Sequence, residues 1–163
     1  MQQKQLIKSG LSNKRFRLWL ASLSQSNLIR SRSGIEVFKV LSIITALIAF
    51  TLFANLLFYP ELIFSLFEIP ENESAFFISR RAGMLFLGVG VLSWLIRNAI
   101  HSTARQAVCA GLTVMMFSLA LLGLVEYFRG YAGLGIGLAV LTELLLGLAY
   151  FKVWSMHRRI TKY

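Results

Sequence analysis

A run of 20 residues without a charge, Val40–Tyr59, constrains the fold of this chain more than any other feature. A helix rises about 1.5 Å per residue, so this run is long enough to cross the ~30 Å hydrocarbon core of a bilayer. The chain is also 56% hydrophobic, well above a soluble domain of 163 residues. The sequence therefore predicts a transmembrane helix here. Because it is rich in Leu, Ile and Phe and has no glycine, we expect it to be the most peripheral span.

The chain contains four candidate transmembrane spans, at about 40–59, 75–96, 105–126 and 131–152. The second is the least regular, because the charge-free part, Ala82–Ile96, has only 15 residues and is too short to cross alone. A helix that begins near Ser74 reaches full length and places Arg80 and Arg81 about two turns inside it. The prediction is an all-α membrane protein with four transmembrane helices in an antiparallel bundle.

The connections between the spans carry helix signals of their own. Pro60 is favoured at the start of a helix, and Pro70 limits its length. This segment therefore predicts a short amphipathic surface helix between spans one and two. Asn72 is placed to cap the second span. Thr103 and Gln106 have the spacing of a capping box, which predicts the start of the third span.

Charge predicts the orientation in the membrane. The chain has 17 Lys and Arg against seven Glu, with a net charge of +10. Fourteen of these basic residues lie before Val40, within Arg97–Arg105 or after Phe151, and an antiparallel bundle puts these segments on one side. Cytoplasmic segments carry the excess of Lys and Arg, so we expect both termini in the cytoplasm and the bundle in a cell inner membrane. Anionic lipid at that face is the expected partner, rather than nucleic acid.

The basic segments at the two ends, 1–38 and 154–163, lie outside the predicted spans. In the first, one helical face collects the apolar side chains of Phe16, Trp19, Leu20 and Leu23. That pattern favours an interfacial helix. The alternatives are a disordered tail and an Arg- and Ser-rich organellar transit peptide.

Glu143 is the one charge in the fourth span, near the middle of Tyr131–Phe151. A carboxyl group at that depth costs roughly 2.5 kcal/mol or more unless it is paired, protonated or hydrated. Small residues recur at helical spacing around it, so we expect this face to pack on another helix. The predicted packing residues are Gly133, Gly135, Gly137, Ala139 and Gly147. Ala107 and Gly111 form a similar small-residue pair in span three.

Five charged residues form the candidate site: Arg80, Arg81, Glu126, Arg129 and Glu143. Arg81 has a long side chain, and we expect it to reach Glu143 in the outer half of the membrane. Such a pair would fix the bundle, or it would form a proton- or ligand-responsive site. A third possibility is that Glu143 faces a partner subunit. Glu126 and Arg129, three residues apart, can pair with each other at the surface.

Enzymatic constellations are absent from the sequence. His101 and His157 fall on the predicted cytoplasmic side with Glu36 as the only carboxylate there, too few ligands for a metal centre. Cys109 lies in an apolar run and is expected to be a small buried hydrophobe. No Walker-type loop or Ser–His–acid arrangement is present. We therefore expect no catalytic activity, no metal and no cofactor.

The motifs PELIFSLFEIP and FFISRRAGMLFLGVGVLSWLIRN, followed by STARQAVCAGL, resemble a family of small uncharacterised bacterial four-span membrane proteins, a domain of unknown function. The resemblance covers about 60–151. It implies a four-span fold in a bacterial membrane, and it implies no mechanism. The basic N-terminal segment and Glu143 lie outside the resemblance.

Two functions fit these patterns. The first is a non-enzymatic integral membrane protein, an accessory or packing subunit of a membrane complex or a homo-oligomer. The alternative is a small carrier or channel component that uses Glu143 with Arg80 and Arg81 for an ion or an anionic solute.

Overall fold

A computed structural model describes the backbone of residues 2–100 and 102–158 and the side chains of 17–19, 21, 34–100 and 102–156. Within these residues the chain is helical, without strands. The helices are α1 (Gln2–Phe58), α2 (Pro60–Phe67), α3 (Glu73–Ile96), α4 (Thr103–Phe128) and α5 (Ile136–Arg158). The chain forms two compact units, Met1–Glu36 and Val37–Tyr163. The N-terminal unit belongs to α1; its predicted place at a membrane surface stays a prediction.

Four helical segments are long and apolar enough to cross a membrane: Gly34–Phe58, Glu73–Ile96, Thr103–Phe128 and Ile136–Met156. Helices of this length and composition are those of a multi-pass membrane protein. The predicted all-α architecture with four spans is confirmed. The fourth span begins five residues later than predicted, because the chain does not return to a helix until Ile136. Gly130, with φ +76°, lies in the turn that follows α4.

Glycines set the close contact between α1 and α3. A Cβ atom at Gly83 would lie 3.3 Å from the Cβ of Leu56, and one at Gly90 would lie 2.8 Å from the ring of Phe50. The Ser79 hydroxyl donates to the Leu56 carbonyl at 3.3 Å. As residue numbers rise along α3 the contacted numbers fall along α1, so the two helices are antiparallel.

The contact between α4 and α5 is also antiparallel. Near one end a Cβ at Gly123 would meet Val140 at 2.7 Å, and further along α5 a Cβ at Gly147 would meet Phe117 at 3.1 Å. The third and fourth spans are therefore antiparallel neighbours, as in the predicted antiparallel bundle.

The buried core of the second unit joins α1, α4 and α5. Its buried members are Phe38, Leu41, Cys109, Leu112, Met116, Leu146, Tyr150 and Val153. The first span is therefore not the most peripheral; the second span is the least buried of the four. The expectation for span one counted large apolar residues, whereas its buried stripe also contains the small Ser42, Ala46 and Ala49.

The short helix α2 is present where the sequence predicts it, with Pro60 at its first position and Glu68 in a left-handed conformation (φ 57°) at its end. The Phe64 ring packs edge-on against Phe76 of α3, with centroids 5.3 Å apart. The Phe67 carbonyl accepts a hydrogen bond from the Gly133 amide at 2.7 Å. The loop before α5 therefore holds the end of α2.

Side chains cap both central helices. The Asn72 side chain accepts from the Ala75 amide at 2.8 Å, as predicted for the start of α3. At α4 the cap is Ser102, which accepts from the Arg105 amide at 3.2 Å. The cap predicted at Thr103 is therefore one residue late, because Ser102 offers the same hydroxyl one position earlier.

Candidate functional site

Glu143 lies on the packed face of α5. Its neighbours at helical spacing are Val140 on one side and Leu146, Gly147 and Tyr150 on the other, and all four are buried. Residues three, four and seven apart share one helix face, so Glu143 is directed towards the bundle interior. The residue itself is half-buried. The prediction that its face packs on another helix agrees with this placement.

The predicted partner of Glu143 is not beside it. Arg80 and Arg81 are both exposed, and the Arg81 guanidinium lies 5.7 Å from the centroid of the Phe77 ring on its own helix. Among the described side chains the ion pair present is the one between Glu126 and Arg129. Sequence spacing gave the depth of Arg81 but not the side of α3 from which it projects, and that side faces away from the bundle.

Glu126 and Arg129 pair with each other at the end of α4. The carboxylate and guanidinium are 3.4 Å apart, and the arginine is largely exposed. The Arg129 guanidinium also lies 5.2 Å from the centroid of the Tyr131 ring. Exposed pairs of this kind contribute little to stability, so this pair is a local surface feature. The five predicted site residues are thus not one network: two pair at a surface, two are exposed and one faces the interior.

The predicted packing residues also lie in different environments rather than on one helix face. Gly147 contacts Phe117 and Met116 of α4, and Ala139 is half-buried. Gly133 and Gly135 precede α5, so they form no helix stripe; they lie against Glu68 and the Leu66 carbonyl at the end of α2. Gly137 is exposed with open space around it. The repeat of glycines at four-residue spacing therefore spans a loop and a helix rather than one helix face.

A second buried polar group, which the sequence analysis missed, lies on α5 two turns after Glu143. The Tyr150 hydroxyl, fully buried, donates to Thr45 at 3.0 Å. Ser42, one turn before Thr45, and Ser93 on α3 are also fully buried, and within the described part of the chain neither hydroxyl has a partner at good hydrogen-bond geometry. Ser42 and Thr45 lie three residues apart on one face of α1, and this spacing could have indicated a buried polar group. The overall hydrophobicity of the run concealed it.

Arg105 was also missed. Only 2% of it is exposed, and its guanidinium lies 4.0 Å from the centroid of the Phe38 ring. It also donates to the Ala99 carbonyl at 3.4 Å. The sequence analysis counted Arg105 only among the basic residues between spans two and three, because the sequence shows no neighbour that would bury it. Cys109, one turn later, is a buried free thiol, as predicted.

The side chains of His101 and His157 and the basic residues of the C-terminal tail lie outside the described residues. Among those that are described, no three His, Cys, Asp or Glu side chains come together as a metal site would require. No family model, no curated protein and no solved structure matches this chain. The resemblance over 60–151 therefore stays a prediction.

Proposed function

We propose that this chain is a non-enzymatic accessory or packing subunit of a larger membrane assembly, either with copies of itself or with another membrane protein. The observation that supports this best is the outer face of α4. Residues at helical spacing along it are exposed, and most of them are small: Ala104, Ala107, Gly111, Val114 and Ser118.

A face of small residues lets two helix backbones approach closely inside a membrane, where packing rather than hydrophobicity drives association. Many exposed positions on the other spans are large and apolar, as at Leu85 and Leu138, which are both more than 60% exposed. The small-residue pair predicted at Ala107 and Gly111 is on the exposed side of α4 and is not used within the bundle.

The test is native mass spectrometry after gentle detergent extraction, comparing Gly111→Leu with Gly88→Leu. Both glycines are in spans, and a Cβ added at either would meet no atom within 4 Å, so neither change disturbs the bundle. We expect Gly111→Leu to lose the associated chain and Gly88→Leu to keep it. A wild-type protein that is released as a lone monomer would contradict the proposal.

A second candidate, a carrier or channel component, is favoured by one observation: Glu143 faces the interior without an ion pair among the described side chains. Acids inside a membrane often serve ion or proton pathways. In this reading Glu143 acts without Arg80 and Arg81, which project outward.

Proton flux into proteoliposomes under an imposed potential tests the carrier reading. We expect Glu143→Gln to abolish the flux, since the amide retains the shape and removes the titrating group. Glu126→Gln is the matched control, because that acid belongs to the surface pair. Equal proton flux in both variants would contradict the carrier hypothesis and would leave the packing proposal unaffected.

A further inference from the structure

The turn between α3 and α4 presents a cation that is held in place by its neighbours. The Arg97 guanidinium stacks on the Trp94 ring, 4.0 Å from the centroid, and donates to the Trp94 carbonyl. An arginine held in this way loses less conformational freedom when it binds an anion than a mobile one does. Trp94 is itself partly exposed, as tryptophans at membrane interfaces are.

Arg105 fixes this turn to α1. Its buried guanidinium contacts the Phe38 ring at 4.0 Å and the Ala99 carbonyl at 3.4 Å. Lys39 follows Phe38, so its charge comes to the same end of the bundle as Arg97. Lys152, exposed on α5, is near this end as well.

The two ends of the second unit differ in charge. At the end with Arg97, the described side chains of this unit include no carboxylate, and Glu36, the last residue of the first unit, directly precedes Val37 in the chain. The opposite end carries five acids, Glu61, Glu68, Glu71, Glu73 and Glu126, together with three arginines, Arg80, Arg81 and Arg129. Two of these arginines lie near aromatic rings: Arg129, which has a carboxylate 3.4 Å away, and Arg81, whose guanidinium is 5.7 Å from the Phe77 centroid. An anion is therefore attracted to the Arg97 end and repelled from the other.

Large, exposed apolar side chains precede and follow Arg97 in the chain. Leu95 is 73% exposed and Ile100 is 74% exposed, on either side of Arg97 in the sequence. A free phosphate would use the cations and leave these side chains uncovered. A phospholipid uses both, because its phosphate meets the guanidinium while its acyl chains cover the leucine and the isoleucine.

We propose that the α3–α4 turn, with Arg97 as the phosphate ligand and Lys39 at the same end of the bundle, is a binding site for the headgroup of an anionic phospholipid. The site depends on the four spans and not on any partner subunit. Arg105 is a positioning residue, because it fastens the turn to α1 and is buried from the headgroup.

The experiment is native mass spectrometry of the full chain extracted from vesicles of equal parts phosphatidylglycerol and phosphatidylcholine. The wild type is expected to retain phosphatidylglycerol in preference. Arg97→Gln is expected to lower that retention about fivefold, the factor that ~1 kcal/mol per basic residue at an anionic surface represents. Lys39→Gln, which leaves the Trp94 stack intact, is expected to lower it by a similar factor.

Arg129→Gln is the matched control, since it removes an arginine beside an aromatic ring at the opposite end. It should retain phosphatidylglycerol as the wild type does, and phosphatidylcholine binding should be the same in every variant. Equal phosphatidylglycerol retention in Arg97→Gln and Arg129→Gln would overturn the proposal. Displacement of the lipid by inorganic phosphate would also overturn it, because the site would then bind free phosphate.

Discussion

Glu143 has different surroundings from the other acids of the described chain. Glu126 pairs with an arginine, and the other five, Glu36, Glu61, Glu68, Glu71 and Glu73, are exposed. Glu143 instead shares a face with the buried Val140, Leu146 and Tyr150, so its carboxyl group loses hydration without gaining an ion pair from the described side chains. A carboxylate in that position destabilises the bundle unless another group meets it.

Glu143→Gln is therefore expected to raise the stability of the isolated chain in detergent by roughly 1 kcal/mol. Arg81→Gln is expected to leave stability unchanged, because this arginine is exposed and pairs with none of the acids whose side chains are described. The double variant should equal the sum of the single ones within about 0.5 kcal/mol. Thermal unfolding measures the stability of all three variants. If both single variants lost stability and the double variant lost less than their sum, the predicted ion pair between Arg81 and Glu143 would be supported after all.

Sequence reasoning located Glu143 because a charge in an apolar run is visible without structure. It could not assign the partner of Glu143, since helical spacing shows which residues share a face and not which neighbour covers that face. The same limit concealed Tyr150 and Thr45. Each is ordinary in its own helix, and only the packing of α5 on α1 brings their hydroxyls to 3.0 Å.

At the scale of elements, the spans and the short helix α2 followed from length, apolarity and proline positions. The start of α5 did not, because the glycines before Ile136 are compatible with a helix in sequence. A tertiary contact keeps them out of the helix: the Gly133 amide donates to the Phe67 carbonyl, and Gly135 lies against the Leu66 carbonyl. The local sequence pattern cannot reveal a contact with a distant segment.

The contact between α4 and α5 gives a test with an internal control. Gly147→Leu forces a large side chain towards Phe117, where even a Cβ would be at 3.1 Å. Gly137→Leu, on the same helix, enters open space. Gly147 lies in the interior of α5 and Gly137 in its first turn, so the gain in helix propensity is larger at Gly147. We still expect Gly147→Leu to be the less stable variant, because its packing cost is about 1–3 kcal/mol. Equal unfolding midpoints in detergent would show that the two helices do not depend on this contact.

For the whole molecule, four spans require that both ends of the second unit's chain lie on one side of the membrane. The charges of the described residues of this unit agree with the positive-inside rule, since Lys39, Arg97, Arg105 and Lys152 lie at one end, whereas Arg80, Arg81 and Arg129 share the other end with five glutamates. Orientation in the cell stays a prediction.

Reporter fusions test that orientation. A green fluorescent protein after the last residue is expected to fluoresce, as it does when it folds in the cytoplasm. Alkaline phosphatase inserted after Pro70 is expected to be active, because that loop belongs to the opposite side. A dark C-terminal fusion together with an inactive insertion would reverse the assignment.

The contacts that Gly133 and Gly135 make with the end of α2 can form only late in translation. A ribosome makes α2 soon after the first span, yet the groups that hold its last turn are translated only after the third span. Until they arrive, the Phe67 carbonyl lacks the amide of Gly133. The end of α2 thus gains its stabilising contacts only after the segment before α5 has been synthesised. A nascent chain stalled after α4 should therefore expose α2 to proteases.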